Sequence, residues 1–464
     1  MASVTETGHV GNLTTSEEEK LREFWRMLIQ SWDEEVPSPD GASAVNPDSA
    51  PKANRRLFSL SRAPAEPTES ETSAIPAKLL TTVKGLNASP IETKTIQTLL
   101  LKLPGDRLRS ALLALFKQDH PDAVLLRFLR AEKWNIPKAW IKLVSALNWR
   151  VNEYKVDEEV LAKGEAYALE QSQMETQSSA KKDGEGFILQ ATTGKGHFHG
   201  CDKMGRPICV VRVRAHDPST QTQKALNDFI IQCIETVRLL QVPPVESMAI
   251  VFDLTSFTLG NWEFPPVKFI IDCFQENYPE SLGAMIFYNA PWIFSSFWKL
   301  INGILDPVVA AKVHFITGAK ALEELIPREH ILKELGGEED WEYEYVEPVA
   351  GENDKLADIT ARDVILTERD TIGARLFSLT TQWIADPKTD LESRNQTVDK
   401  LRQNYWELDP YVRARTVLDR TGVIQGDGTV NFYPVVKNAI SATTDETTEK
   451  RMGDLKETPA PVAV

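Results

Sequence analysis

The stretch YPESLGAMIFYNAPWIFSSFWKLINGILDPVVAAKVHF, residues 278–315, is apolar or aromatic over most of its length. Charged side chains are spaced far apart in it, at Glu280, Lys299, Asp306 and Lys312. Ala284–Tyr288 has the pattern of a buried strand, and the apolar residues of Phe294–Ile304 recur at helical spacing. The stretch therefore predicts a strand followed by a helix, and this helix has more apolar surface than a helix on a solvent-exposed protein surface usually has.

Strand and helix patterns alternate on both sides of this stretch, from about residue 186 to residue 337. The predicted strands upstream are Phe187–Leu189, Pro207–Val211 and Ala249–Asp253, and the predicted helices are Ala225–Leu240 and Pro265–Phe274. Such alternation predicts an α/β fold class with a mostly parallel sheet.

An amphipathic helix is predicted near the N-terminus. Thr14 with Glu17, or Thr15 with Glu18, fits a capping box. An apolar stripe follows at three- and four-residue steps: Leu21, Phe24, Trp25, Leu28, Ile29 and Trp32. The stripe can dock on the protein body or anchor the chain on a membrane surface. Because acids and bases are mixed on the polar face, docking is favoured.

Helical patterns also flank the α/β unit. Between residues 78 and 151, Leu108, Leu112, Leu115 and Phe116 form one apolar stripe. After an acidic loop at 338–340, three more helical patterns lie near 366–385, 394–407 and 410–420. Their apolar faces need cover, so we expect these C-terminal helices to pack on the α/β unit.

The predicted organisation has six parts. They are an N-terminal amphipathic helix (1–32), a disordered linker (33–77), a helical module (78–151), an α/β ligand-binding domain (152–340), a C-terminal helical extension (341–440) and a disordered tail (441–464). The linker is rich in Pro, Ser, Ala and Glu without any sustained period. It contains Arg55-Arg56-Leu57-Phe58-Ser59, in which Ser59 is a candidate phosphorylation site for a kinase that reads basic residues.

Composition and charge narrow the classes of function. The formal net charge of −15 argues against nucleic acid as a partner and against tight electrostatic docking on anionic membranes. The four cysteines form no C-x-x-C pair, which favours a reducing compartment. We find no signal-peptide pattern and no apolar run of the ~18 residues that span a bilayer. A cytoplasmic protein is expected.

Catalytic motifs are absent from the sequence: there is no G-x-S-x-G elbow, Walker A loop or H-E-x-x-H. Gly194-Lys195-Gly196 lacks the spacing of a phosphate loop and predicts a turn. His197, His199 and Cys201 alternate, and on a strand they would share one face, but no fourth metal ligand at matching spacing follows. We therefore expect a binding protein with no cofactor or metal, and not an enzyme.

A series of motifs in fixed order carries a family resemblance. The helix DAVLLRFLRAEKW is followed by Trp149-Arg150, Asp202–Pro207, Tyr278-Pro279-Glu280, Asn289–Trp292, Leu305-Asp306-Pro307 and Leu335-Gly336-Gly337. From Asp122 to Gly337 the chain resembles the CRAL-TRIO lipid-binding family, in the branch related to the phosphatidylinositol/phosphatidylcholine transfer protein. The resemblance implies the CRAL-TRIO fold, in which a helical N-lobe precedes a sheet whose covering helices enclose a lipid cavity with a mobile helix as its gate.

A dry cavity suits a lipid carrier on physical grounds. A two-chain lipid has about 30 methylene groups, so exposing it to water costs on the order of 20 kcal/mol. We expect a gate or cavity wall built from Phe294, Phe297, Trp298, Ile301 and Leu305, although ordinary core packing would use the same spacing. Met248 and Ile250 occupy positions at which the family's choline-lipid pocket has hydroxyl side chains, which disfavours phosphatidylcholine.

The resemblance also implies a headgroup site. The family's lysine after Leu-Asp-Pro corresponds to Lys312, and the acid that orders it corresponds to Glu280. Of the family's basic pair only Lys133 is matched, because Glu132 replaces the other base, and Val309 replaces a threonine. Lysine binds phosphate as a point charge, and a buried lysine needs a partner when the site is empty. A surface ion pair without a binding role is the alternative for Glu280 and Lys312.

The favoured function is a monomeric lipid-transfer protein that extracts one phospholipid, phosphatidylinositol first, and touches membranes such as the endoplasmic reticulum only briefly. A carrier of a neutral hydrophobe (a sterol, squalene or a tocopherol-like molecule) and a lipid-sensing regulatory adaptor are the alternatives. Haem binding, known in one branch of the family, needs Tyr and His ligands that the sequence does not place.

Overall fold

A computed structural model describes residues 7–32 and 75–434 of the chain. Residues 33–74 and 435–464 hold Ser59, most of the predicted linker and the predicted tail, and they lie outside the described residues. The six predicted parts of the chain therefore stay predictions in their bounds.

Within the described residues the chain starts with six α-helices: α1 (Thr15–Gln30), α2 (Ala77–Gly85), α3 (Pro90–Lys102), α4 (Gly105–Phe116), α5 (Pro121–Ala131) and α6 (Ile136–Asn148). The capping box at α1 uses Thr14, whose hydroxyl accepts from the Glu17 amide while the Glu17 carboxylate accepts from the Thr14 amide. The whole apolar stripe of α1 is buried in a core shared with α4, α5 and α6. The docking interpretation of α1 is thus confirmed.

The α/β region follows and contains one five-stranded sheet in the order β1-β2-β3-β4-β5. Its elements are α7 (Gly164–Ser172), α8 (Ser179–Thr192), β1 (Gly196–Cys201), β2 (Pro207–Arg212), α9 (Gln223–Leu240), β3 (Met248–Asp253), α10 (Phe264–Asp272), β4 (Leu282–Tyr288), α11 (Phe294–Asn302), α12 (Pro307–Ala310), β5 (Val313–Ile316) and α13 (Ala319–Leu322). β1 pairs antiparallel with β2, and all other pairs are parallel. The predicted α/β class with a mostly parallel sheet is confirmed.

The two faces of the sheet pack differently because side chains alternate along each strand. One face is a filled core, in which Ile208, Val210, Ala249, Val251, Ala284 and Ile286 meet apolar residues of α13 and of the segment up to Leu335. The other face points towards α9, α10 and α11 through Cys209, Val211, Met248, Ile250, Phe252, Met285 and Phe287. The second face is the one that matters for ligand binding.

The predicted strand at Phe187–Leu189 is wrong, because these residues lie in α8. Ser178 caps this helix by accepting a hydrogen bond from the Lys181 amide, and Gly184 lets it approach α7. A Cβ at Gly184 would lie 2.6 Å from the Ala168 carbonyl oxygen, so only glycine fits there. Three apolar residues in a row do not distinguish a strand from a buried helical turn.

The C-terminal helices are α14 (Ile359–Ala385), α15 (Glu392–Leu408) and α16 (Val417–Arg420). The expectation that they pack on the α/β unit is wrong for most of their surface. Leu376, Phe377, Trp383, Val398 and Leu401 join the helical core with α1 and α4, whereas Tyr405, Trp406 and Leu418 reach the α/β core. The stripe of α1 and the stripe of α14 cover each other, so neither needs the sheet.

The helix predicted near 410–420 is correspondingly shorter than expected. Two arginines bind a single carboxylate: Arg413 Nε lies 2.7 Å from Asp409 Oδ1, and Arg415 Nη2 lies 2.7 Å from Asp409 Oδ2. Both arginines also reach Asp419. Residues two apart in a helix do not face each other, so this ion network holds the segment in a non-helical conformation until α16 begins.

Candidate functional site

An apolar cavity of about 190 Å³ lies between the second face of the sheet and the covering helices. One buried water needs only ~10–15 Å³, so this interior is not filled by the protein's own side chains. Met248 and Ile250 form part of the cavity floor, as predicted, and Phe229, Ile270 and Phe274 close it from the helical side. Burial in these surroundings raises the pKa of the cavity-lining Cys209 thiol to about 12. The cavity can hold an apolar ligand away from water.

The residues predicted to form a gate divide into two groups. Phe294 and Ile301 of α11 line the cavity. Phe297 instead stacks on Trp262 with ring centroids 4.2 Å apart, and Trp298 packs edge-on against Phe287 and Phe315. Leu305 packs at the edge of the same apolar cluster. All five lie on or just after one helix that covers the cavity, and their movement as a gate stays a prediction.

The ion pair predicted between Lys312 and Glu280 is formed, and its role in binding a headgroup stays a prediction. Lys312 Nζ lies 2.9 Å from Glu280 Oε2, and both side chains are about four-fifths buried, with 22% and 18% exposed. Glu280 just precedes β4 and Lys312 just precedes β5, so neighbouring parallel strands bring the two side chains together. The backbone of Glu280 is left-handed, with φ of 58°. The pair can hold a phosphate if Lys312 turns one or more of its three N–H donors from Glu280 to the ligand.

Lys133 is not brought to this pair by any described contact. It is exposed in the turn after α5, where its backbone is left-handed (φ 51°). Its neighbour Glu132, which replaces the second base of the family pattern, binds Lys142 at 3.0 Å. Lys142 also donates to the carbonyl oxygen of Gln275, which lies five residues before Glu280. Sequence reasoning missed Lys142, because a lysine seven residues along α6 carries no motif.

A buried carboxylate joins the helical module to the α/β region. Glu235 of α9 is fully buried and lies 2.5 Å from both Lys117 Nζ and Arg150 Nη1, and the Tyr278 hydroxyl donates to it at 2.7 Å. Burial alone would raise the pKa of Glu235, but Arg150, Lys117 and Arg238 hold it well below its ordinary value. Arg150 and Tyr278 belong to the motifs quoted above, which here have a structural role.

The histidines that alternate on β1 do not form a metal site. His197 Nδ1 lies 2.9 Å from the Gly194 carbonyl oxygen, and His199 stacks on Trp341 with ring centroids 4.0 Å apart. Among residues 7–32 and 75–434, no three His, Cys, Asp or Glu side chains are grouped to hold a metal ion. No helix of these same ranges is long and apolar enough to cross a bilayer.

Two family models match the parts of the chain that build this site. The model of the CRAL/TRIO N-terminal domain matches residues 79–145, and that of the CRAL/TRIO domain matches residues 191–337. The phosphatidylinositol transfer protein CSR1 of Eremothecium gossypii is 33% identical over 447 residues, with 92% of this chain and 100% of that protein covered. The chain belongs to the CRAL-TRIO family. It is therefore a member of a lipid-transfer family, as the resemblance predicts.

Other CRAL-TRIO proteins match over different lengths. The CRAL-TRIO domain-containing protein C3H8.02 of Schizosaccharomyces pombe is 32% identical over 425 residues, covering 90% of this chain and 92% of that protein. The Sec14 cytosolic factor of the same yeast is 28% identical over 232 residues, covering 47% and 74%. A crystal structure of Sfh5 aligns with a TM-score of 0.34 and 16% identity, covering 56% of this chain and 90% of that one.

Proposed function

We propose that the protein extracts one phosphatidylinositol molecule from a membrane and carries or presents it with its acyl chains in the apolar cavity. The cavity between the sheet and α9, α10 and α11 is the single observation that carries this proposal. Each methylene group that the cavity takes out of water contributes ~0.8 kcal/mol towards the order of 20 kcal/mol that about 30 methylene groups of the free lipid would cost. No bond is made or broken in this process.

The choice of phosphatidylinositol is supported by the Glu280–Lys312 pair and by the printed name of the relative that matches almost the whole chain. In the empty protein Glu280 compensates the lysine charge. When the lipid enters, its phosphate takes the place of the carboxylate, and the ammonium group binds it as a point charge. Release at a membrane reverses the exchange.

Replacing Lys312 by Ala tests the headgroup assignment. Because the phosphate then loses its cation and Glu280 repels it, we expect phosphatidylinositol transfer between liposomes to fall by about tenfold or more, which corresponds to about 1.4 kcal/mol. Lys320→Ala, an exposed lysine of α13, is the matched control and should transfer at the rate of the unmodified protein. Equal transfer by both variants would remove Lys312 from the site.

A neutral hydrophobe is the second candidate ligand. It is favoured by the side chains of the cavity floor, since Met248 and Ile250 offer no hydrogen bond. It is also favoured by Glu132, because this acid stands where the family pattern has a base and pairs with Lys142. In that case the Glu280–Lys312 pair is structural. Transfer of squalene or a sterol would then survive Lys312→Ala unchanged, and lipid extracted from the purified protein would contain no inositol.

Contact with a membrane is proposed through the surface around α11. Trp292, Leu300, Val308 and Phe315 lie on or near this helix in sequence, and all are exposed, Trp292 to 86%. A cytoplasmic protein that meets the bilayer briefly through these side chains needs no basic patch, which agrees with its acidic charge.

A further inference from the structure

Four polar residues lie together at the edge of the otherwise apolar cavity lining and form a polar corner: Lys195, His216, Asn261 and Glu263. Lys195 belongs to the Gly194-Lys195-Gly196 turn just before β1, and only 6% of the residue is exposed. His216 lies in the loop after β2, and Glu263 precedes α10. Three separate segments of the chain thus bring charged or polar groups to one place on the cavity wall.

The hydrogen bonds of this corner fix the protonation state of His216. Lys195 Nζ lies 3.0 Å from His216 Nδ1, and His216 Nε2 lies 3.1 Å from Glu263 Oε2. An ammonium group only donates, so Nδ1 accepts and the other ring nitrogen donates to the carboxylate, which makes His216 neutral. Burial and the adjacent Lys195 lower the pKa of His216 to about 4, in agreement with this assignment.

Lys195 is an incompletely compensated cation. No carboxylate of the described residues lies within ion-pair distance of its ammonium group, and its other polar neighbour is the Gln221 amide oxygen at 3.5 Å. The three N–H donors of the ammonium group therefore have one acceptor at ordinary hydrogen-bond distance, His216 Nδ1, and one distant acceptor, the Gln221 amide oxygen. Burial lowers the pKa of Lys195 to about 8, although Glu263 and Asp217 act to raise it. A buried ammonium group on an apolar wall gains from an anion that enters the cavity.

This corner is far from the Glu280–Lys312 pair. Lys195 adjoins β1 and Lys312 adjoins β5, at opposite edges of the sheet. Four strand spacings of ~4.8 Å separate the two edges by roughly 19 Å. The two lysines also lie at different heights, since Gly196 is level with Val211 near the carboxyl end of β2 whereas Val313 is level with Met285 midway along β4. One phosphate cannot contact both.

We propose that Lys195, held in place by His216, forms a second polar binding site of the cavity, which takes the carboxylate of a single-chain lipid while the chain lies along the sheet. A singly charged group suits the corner better than a phosphomonoester, because the nearby Glu263 carboxylate would repel a second negative charge. The site shares the cavity with the proposed phosphatidylinositol ligand but does not use the Glu280–Lys312 pair.

Oleate and its uncharged methyl ester are matched probes for calorimetric titration of the full-length protein. We expect Lys195→Met to weaken oleate binding tenfold or more and to leave methyl oleate unchanged. Lys312→Met should keep oleate binding while it lowers phosphatidylinositol transfer, so the two proposals fail separately. Lys320→Met controls for loss of a positive charge elsewhere.

Three results would overturn the second site. They are equal oleate affinity of the unmodified protein and Lys195→Met, equal affinity of the unmodified protein for oleate and methyl oleate, and displacement of oleate by millimolar acetate, which would indicate a site for free small anions. A measurement without any variant guards against misfolding of Lys195→Met. The carboxyl carbon of bound ¹³C-labelled oleate should titrate at lower pH than in water by NMR, and titration at higher pH would contradict a neighbouring cation.

Discussion

At the scale of single residues, Asp122 connects three helices that are distant in sequence. Its carboxylate binds Arg394 of α15 at 2.6 Å and accepts from the Trp25 indole of α1 at 2.7 Å. Burial raises the pKa of Asp122, but the Arg394 guanidinium outweighs burial and holds the pKa at about 2. The carboxylate therefore fastens α1, α5 and α15 into one core.

Replacing Asp122 by Asn should destabilise the protein by about 3–5 kcal/mol, because Arg394 stays buried without its counter-charge. Urea denaturation measures this free energy of unfolding. Asp399→Asn is the control, since Asp399 is 65% exposed in its pair with Arg402 and should cost under ~1 kcal/mol. Similar losses in the two variants would show that the buried pair is not special.

The same residue predicts how stability depends on pH. The folded pKa of about 2 lies below the ordinary value of 3.8, so the contribution is present above the ordinary value and is lost as pH falls towards 2. The difference in unfolding free energy between the unmodified protein and Asp122→Asn should shrink by about 2 kcal/mol between about pH 5 and pH 2. A difference that is constant with pH would contradict the assigned ion pair.

At the scale of elements, α11 combines cavity-lining and solvent-facing residues. Phe294 and Ile301 face the ligand space, whereas Leu300 and the preceding Trp292 face solvent. An exposed tryptophan has an apolar body and a polar tip, which suits the interface of a bilayer. We propose that this placement lets the helix respond to a membrane and uncover the cavity.

Trp292→Ala should slow lipid transfer between liposomes by several-fold and leave the bound lipid and thermal stability unchanged, because the side chain contributes little to the fold. Fluorescent lipid transfer and a thermal melt measure the two properties. Ile91→Ala is the matched control, as Ile91 is 79% exposed on α3 and should have no effect on transfer. If both variants transfer normally, the membrane contact lies elsewhere.

Sequence reasoning succeeded at elements whose pattern is long or ordered. The helix Ala225–Leu240 has a strong helical period, and the strands at Pro207 and Ala249 are uninterrupted apolar runs. The motifs around Glu280 and Lys312 fix the order of these elements along the chain. It failed at Phe187–Leu189, where three apolar residues fit two structures. It could not place α14 on α1, because a stripe indicates that a helix needs a partner without indicating which one.

The candidate site was predictable to a similar degree. The pair of Glu280 with Lys312 and the cavity positions of Met248 and Ile250 follow from motif positions. The polar corner at Lys195 was not predictable, since His216 and Glu263 reach it from loops 21 and 47 residues away from their partners. Such contacts depend on the tertiary fold, and no local spacing encodes them.

At the scale of the whole molecule, two bodies of packing meet at several charged contacts, among which the Glu235 cluster is fully buried. The helical core takes in α1, most of α2–α6 and most of α14 and α15, and the α/β core surrounds the cavity. Glu235, with Lys117 and Arg150 from the helical side and Tyr278 from the α/β side, holds the two together. This frame leaves α11 as a cover with polar solvent on one side and the cavity on the other.

The central claim is that the interior encloses one lipid. Native mass spectrometry of the full-length protein, after incubation with phosphatidylinositol vesicles and repurification, tests it most directly. We predict a species with one lipid per chain, and its loss in Ile250→Trp, whose larger side chain enters the cavity from its floor and whose folding a thermal melt checks. A spectrum that shows only the bare polypeptide, or lipid bound equally by Ile250→Trp, would contradict the account.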